Sequence, residues 1–237
     1  MPSILVLGAR HLGGAIVDRF AANGYDVAAV SLSQQTADGV RRVHPEALAL
    51  SADVSDARAL ADVVAQVRER FGSLDVAVNA VSPVRSGIVS AGPLTELTVD
   101  AIEPYTRQLV PAVFNFLRVC GAAMANQESG KLIQITGGSA RRAMPGRGPW
   151  ASAAFATRAM VNASSQELRE RKVHAALLIV DAIIESDKTT AMLNGRPEDY
   201  STTHDVVVDA VEYLVRQSPR GWSHELTITP VGDRWVP

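Results

Sequence analysis

The residues with the clearest chemical purpose in this 237-residue chain are the glycines of "GARHLGG", Gly8, Gly13 and Gly14. They follow the apolar run "SILVL" (3–7) directly. A strand that runs into a glycine turn and then a helix exposes backbone N–H groups at the helix N-terminus. Such groups bind pyrophosphate, and glycine lets the backbone approach it, so the chemistry implied is the holding of a dinucleotide. The spacing is not G-x-G-x-x-G: Gly8 and Gly14 stand six apart, and Leu12 occupies a place where glycine is expected. About 20 residues beyond the turn, an acidic side chain usually holds the ribose 2′-OH of NAD. Ser31, Leu32 and Ser33 stand there instead. With Arg10 and His11 inside the turn, the balance leans to NADP over NAD. His11, His44, His174, His204 and His224 show no metal-ligand spacing, so no metal site is expected. The single cysteine, Cys120 in "FNFLRVCGAAM", excludes an internal disulfide and reads as a buried helix position.

The elements that must position this turn alternate along the chain. Strand-like runs occur at 3–7, "DVAAVSL" (26–32), "EALALSADV" (46–54), "LDVAVNA" (74–80), "GKLIQITG" (130–137), "KVHAALLIV" (172–180) and "HELTITP" (224–230). Helical periodicity follows the glycine turn up to Gly24. It returns in "SDARALADVVAQVRERFG", where Ser55 is the expected N-cap, and at about 150–170 and 204–217. "VDAIEPYTRQLVPAVFNFLRVCGAAMANQ" is a long helical stretch that Pro104 and Pro111 should kink or begin. Alternating β and α implies a parallel sheet covered on both faces, in a single domain over 1–237 without repeats or linkers.

Composition sets the broad class. A hydrophobic share of 47% and a charged share of 20% are those of an ordinary globular protein. A net charge of -2 gives no reason to expect nucleic acid or an anionic membrane as partner. The N-terminus has no basic leader, and no uninterrupted apolar run approaches the roughly 20 residues of a membrane span, so a cytoplasmic location is expected.

Several landmarks together resemble the short-chain dehydrogenase/reductase family over nearly the whole chain. "GARHLGGAI" is similar to its T-G-x-x-x-G-x-G loop, and "ADV" (52–54) to its adenine-contacting Asp-Val, here Asp53 and Val54. "LDVAVNA" resembles the L-D-x-L-V-N-N-A-G strand, with Asn79 kept but Ala80, Val81 and Ser82 in place of N-A-G. "GKLIQITG" resembles the strand before the catalytic serine, and "PWASAAFATRAM" the helix that begins Y-x-x-x-K. The resemblance implies a Rossmann-type doubly wound α/β fold with a seven-stranded parallel sheet, order 3-2-1-4-5-6-7. "HELTITP" would be the edge strand and "SDKTTAMLNGRPEDYSTTHD" (186–205) the substrate-loop region. It also implies a homodimer or homotetramer built on the helices near 100–126 and 150–170.

The active-site tetrad does not carry over. Its Asn, Ser, Tyr and Lys positions fall on Leu109, Gly137, Trp150 and Ala154. In the family, serine polarises a carbonyl, tyrosine moves the proton as hydride moves, and lysine lowers the tyrosine pKa and binds the nicotinamide ribose. An indole N–H donates a hydrogen bond but is no acid near neutral pH. Trp150 and Gly137 then read as pocket wall, and Ser139, Ser152, Tyr105 and Arg142 are the replacement side chains nearest the site. Leu12 at a glycine position and Ala154 at the ribose-binding lysine further imply weak dinucleotide binding. Three functions compete. One is an oxidoreductase that binds NAD(P)(H) and acts on a small carbonyl or hydroxyl compound without the usual Tyr/Lys mechanism. Another is a non-redox cyclase, dehydratase or isomerase in the old pocket. The third is a non-catalytic ligand-binding protein, or the silent partner of an active paralogue in a mixed oligomer.

Overall fold

Runs such as "SILVL" and "VHAALLIV" are apolar at every position, so both of their faces must be covered. The computed structural model, which describes residues 1–82 and 91–233, satisfies that demand with one layered α/β unit. Its strands are β1 (Ser3–Leu7), β2 (Asp26–Ser31), β3 (Leu48–Ser51), β4 (Val76–Asn79), β5 (Gly130–Gly137), β6 (Val173–Val180), β7 (Ile183–Ile184), β8 (Ser201–Thr202) and β9 (Glu225–Ile228). Seven of them form a parallel sheet in the order β3-β2-β1-β4-β5-β6-β9, as expected, with the "HELTITP" strand at the edge. β1 and β6 are buried along their whole lengths.

The helices are α1 (Leu12–Ala22), α2 (Gln34–Val43), α3 (Ala57–Phe71), α4 (Val110–Asn126), α5 (Gly148–Glu167), α6 (Thr190–Leu193) and α7 (His204–Arg216). One core lies between the sheet and α3, α4 and α5, where Leu60, Val64, Phe116, Cys120 and Val161 meet Leu5, Leu132 and Ile179. The other lies under α1 and α7, where Ile16, Phe20, Val208 and Val211 meet Val6, Val78 and Leu178. Arg19 of α1 ties these two helices by donating to Asp209 and Glu212 at 2.7 and 2.8 Å.

Several local expectations need correction. The N-cap of α3 is Asp56, not Ser55: its carboxylate accepts from the N–H groups of Arg58 and Ala59. Ser55 instead bonds back to Asp53. α2 is a helix that the sequence does not announce, because "QQTADGVRRV" buries only Ala37; Ser33 caps it by accepting from Thr36 N. The segment 186–205 is not a bare loop. It holds α6 and β8, and β8 pairs with β7 in a separate two-stranded parallel ladder. Pro104 and Pro111 behave as expected: Pro104 opens a π-helical segment, Pro104–Leu109, and Pro111 lies in the first turn of α4. The helical stretch Val99–Asn126 is long and apolar enough to cross a membrane by length and composition alone, but Asp100, Glu103, Arg107 and Arg118 interrupt it and more than half of its apolar window is buried in protein.

Candidate functional site

β1 is flanked by β2 on one side and β4 on the other, so the chain changes direction across the sheet at β1/β4. In open α/β sheets that switch point leaves a crevice outside the carboxyl ends of the strands. The glycine turn sits there. Gly8 has φ +85°, and a Cβ on it would lie 2.9 Å from the backbone of Ala80 at the end of β4. Gly13 is as strictly required, since its Cβ would lie 2.1 Å from Gly8 O, whereas Gly14 has room for a methyl group. The glycine that closes the turn is therefore Gly13, one residue from the expected place. Leu12 does not obstruct the turn: its side chain packs on the core under α1. The turn is remodelled, and His11 absorbs the change with a strained φ of 55° and ψ of -113°.

This geometry leaves a cradle for an anion. The N–H groups of Gly8 and Ala9 are spent on Val30 O, and that of Arg10 on Gly8 O. Those of His11, Leu12 and Gly14 make no hydrogen bond among the described residues, at the positive end of an 11-residue helix. Arg10 is exposed and unpaired among the described residues. His11 is held below the ordinary histidine pKa, first by desolvation, then by Lys188, Arg10 and His204, with Asp187 opposing. Lys188 and Asp187 belong to the 186–205 segment, so charges of that segment act on the glycine turn through space.

At the adenine end of such a crevice, Ser31 Oγ accepts from Ser33 N at 3.2 Å. Asp53 Oδ1 accepts from Ser55 N and Oγ at 2.9 and 2.6 Å. Val54 turns its side chain into the core, so only its backbone faces outward. Asn115 is a residue that sequence reasoning missed: buried in α4, it donates to Ser55 O at 2.7 Å and to Val54 O at 3.3 Å. The one signal was a lone amide inside the apolar run "VFNFL". Asn79 is fully buried, donating to Gln134 Oε1 at 2.8 Å and accepting from Val81 N at 3.1 Å. Its side chain braces β4 against β5 instead of facing the crevice.

Of the positions that the resemblance aligns with the tetrad, Gly137 ends β5 and Trp150 lies against it. Leu109 and Ala154 are core residues, 5% and 1% exposed. The Trp150 ring lies over Gly137, with Cζ2 3.4 Å from where a Cβ would stand, and meets the buried Tyr105 edge-on at 5.7 Å. Trp150 Nε1 makes no hydrogen bond among the described residues. Ser139, half-buried in the turn after β5, likewise keeps its hydroxyl free among the described residues. Ser152 is not part of the cluster: it is exposed and donates back to Pro149 O at 2.8 Å. Arg142 approaches Asp181 and Asp233 at 3.6 and 3.7 Å. Asp181 follows β6 directly and was not singled out by the sequence. Residues 185–201 enclose a groove of about 730 Å³ lined by Glu185, Asp187, Arg196 and Glu198. Among the described residues no three His, Cys, Asp or Glu side chains converge as metal ligands.

The profile of the short chain dehydrogenase family matches residues 2–195. The chain belongs to that family. Among short-chain dehydrogenases of known activity it resembles L-2,3-butanediol dehydrogenase of Corynebacterium glutamicum, 25% identical over 203 residues, which cover 80% of this chain and 76% of the relative. Two solved structures share the fold. ElxO with NADP bound has a TM-score of 0.84 at 16% identity, covering 96% of each chain. An alcohol dehydrogenase from the archaeon Thermococcus sibiricus, complexed with 5-hydroxy-NADP, has a TM-score of 0.80 at 23% identity and covers 100% of each chain.

Proposed function

We propose that this short-chain dehydrogenase binds NADP(H) across the β1/β4 crevice and catalyses hydride exchange with a small carbonyl or hydroxyl compound, without the tyrosine–lysine pair. The observation that carries the reading is the turn before α1. Three uncommitted N–H groups, with Arg10 and His11 beside them, suit a pyrophosphate, and Gly8 and Gly13 exist only to form that turn. Arg10 and the absence of an acid at Ser31 favour NADP over NAD; the NADP-type ligands in two structures of the same fold support this. When bound, the reduced cofactor supplies the hydride. The chain's own part is to orient the carbonyl, for which Trp150 Nε1 and Ser139 Oγ are donors without a partner among the described residues. The test is a panel of aliphatic and aromatic ketones and diketones with both reduced cofactors. Slow turnover that prefers NADPH supports the reading. Ordinary dehydrogenase rates would contradict the view that the tetrad's loss has a price.

A second reading, a non-redox enzyme or a silent subunit, is favoured by one fact: Leu109 and Ala154 are packed core, so two of the four tetrad positions retain no polar group at all. We further propose a cytoplasmic homo-oligomer, dimer or tetramer. Phe114 of α4 and Phe155 of α5 are 53% and 44% exposed, and large apolar side chains of this kind on paired helices favour association. Light scattering should give at least twice the 25.2 kDa of the chain at micromolar concentration, and a stable monomer refutes it.

A further inference from the structure

With Trp150 at the position the resemblance gives to the tyrosine, and Tyr105 enclosed behind it at 1% exposure, a carbonyl reduction needs another acid, and the described residues offer few. Trp150 and Ser139 donate hydrogen bonds but do not ionise usefully. His174 lies at the opposite end of β6, roughly 20 Å from its carboxyl end at the usual strand rise, with His224 beside it. His11 belongs to the glycine turn. The carboxyl end of β6 holds one acid. Gly137 pairs with Val180 in the β5/β6 ladder, so Asp181 emerges beside Gly138, next to the residue over which Trp150 lies.

The fit there is specific. Gly138 has no special backbone conformation, yet a Cβ on it would lie 1.8 Å from Asp181 Oδ1 and 2.2 Å from its Cγ. The space of the missing side chain houses the Asp181 carboxyl. Its Oδ2 is buried 3.6 Å from Arg142, and apart from that long contact the carboxyl has no side-chain partner among the described residues. Arg142 also faces Asp233, and Arg141 nearby is committed to Glu225 at 2.9 Å. Two carboxylates thus share one guanidinium, and Asp181 is the more enclosed, 12% exposed against 29%. Desolvation and a like charge on the shared cation both disfavour ionisation of the more enclosed carboxyl. Its pKa is accordingly raised, by desolvation first and by Asp233 in the same direction, with Arg142 opposing.

We propose that Asp181 is the proton donor of this site, seated by Gly138 and steadied by Arg142 in place of the missing tyrosine and lysine. The inference rests on the NADP(H)-dependent reading above. In the reduction, Asp181 gives its proton to the carbonyl oxygen while hydride from the reduced nicotinamide reaches the carbonyl carbon. The C=O π bond breaks, C–H and O–H bonds form, and the cofactor leaves oxidised. The carboxylate that remains is paired with Arg142 and regains a proton from solvent. In the oxidative direction the same carboxylate accepts the alcohol proton.

The test needs no substrate. If Asp181 serves this role, the positively charged ring of NADP⁺ would lower its pKa and expel a proton on binding, whereas the neutral ring of NADPH would not. Protonation of His11 by the incoming phosphates works in the opposite direction but is common to both cofactors. Calorimetric titration of the full chain in buffers of different ionisation enthalpy, from pH 5 to 8, counts the protons. Wild type should release up to about one more proton with NADP⁺ than with NADPH, at a pH between the free and bound pKa values of the one carboxyl. Asp181→Asn should abolish that difference while still binding NADPH. Gly138→Ala, which displaces the carboxyl without removing it, should reduce the difference. Binding of both cofactors with no difference, or a difference undiminished in Asp181→Asn, overturns the role of Asp181 and leaves the cofactor reading intact. No binding of either cofactor at millimolar concentration overturns the cofactor reading and the inference together.

Discussion

Trp150 stands at the tyrosine position with its ring against Gly137 and Tyr105, which limits what restoring the family residues achieves. A tyrosine at 150 regains an ionisable hydroxyl, but a lysine at 154 enters a space now 1% exposed and shaped around alanine. Desolvation there drives the amine neutral, so it gives little help to the tyrosine. Gly137 still supplies no hydroxyl, and Leu109 remains core. Groups that act as a unit are strongly non-additive. Trp150→Tyr with Ala154→Lys should therefore leave ketone reduction within about tenfold of wild type, well short of the 10²–10⁴ that general acid–base catalysis supplies. Steady-state assays of wild type, the double variant and a quadruple variant adding Gly137→Ser and Leu109→Asn check this; a large gain in the double variant contradicts it. The departure from the family's tetrad is a reading of the residues alone, from aligning Leu109, Gly137, Trp150 and Ala154 with its positions. Asp181 was not, because its chemistry comes from burial against Gly138 and from sharing Arg142 with Asp233, neither of which leaves a local pattern.

The glycine turn and α1 show where sequence spacing ends and packing begins. A turn followed by a helix was readable from Gly8, Gly13 and Gly14, but which glycines are needed depends on what each Cβ would strike. Gly8 faces the end of β4, 72 residues away in sequence at Ala80, and Gly13 faces Gly8 itself. Leu12 resembles an obstruction in the linear motif and is a half-buried residue packed against the core in space. Leu12→Gly should therefore fail to tighten NADPH binding, and should destabilise the fold by about 1–2 kcal/mol from lost burial and helix propensity. Denaturant unfolding and a cofactor titration on the same variant check both parts; tighter binding would restore the obstruction view. The long strands were equally legible, since continuous apolar runs need no partner to be recognised. α2 and β7/β8 were not, being held by the Ser33 cap and by backbone pairing of short polar segments.

For the whole molecule, the sheet's far edge sets a limit on acid tolerance. His174 is fully buried on β6, stacked on Trp222 at 5.0 Å, with Nε2 2.9 Å from Ser223 O and Nδ1 buried without a hydrogen bond. Desolvation chiefly, with Lys131 and His224 assisting, lowers its pKa to about 4, against opposing backbone hydrogen bonds. An unfolded chain binds this proton below the ordinary value of 6.5 and the folded one does not. Stability is thus whole above 6.5 and falls as pH drops toward 4, by on the order of 2 kcal/mol once solvent screening is allowed for. His174→Gln should flatten that part of the pH profile of urea unfolding; an unchanged slope would assign the acid sensitivity elsewhere.

The central claim for the molecule is that the remodelled turn still holds a dinucleotide, and fluorescence titration of the purified chain with NADPH tests it most directly. Saturable binding is expected with a dissociation constant at or below about 1 mM, equivalent to about 4 kcal/mol of binding free energy. It should be tighter than NADH and weakened by Arg10→Ala. No saturable signal at several times that concentration, from a chain shown to be folded, would contradict the account and leave the crevice at β1/β4 without its ligand.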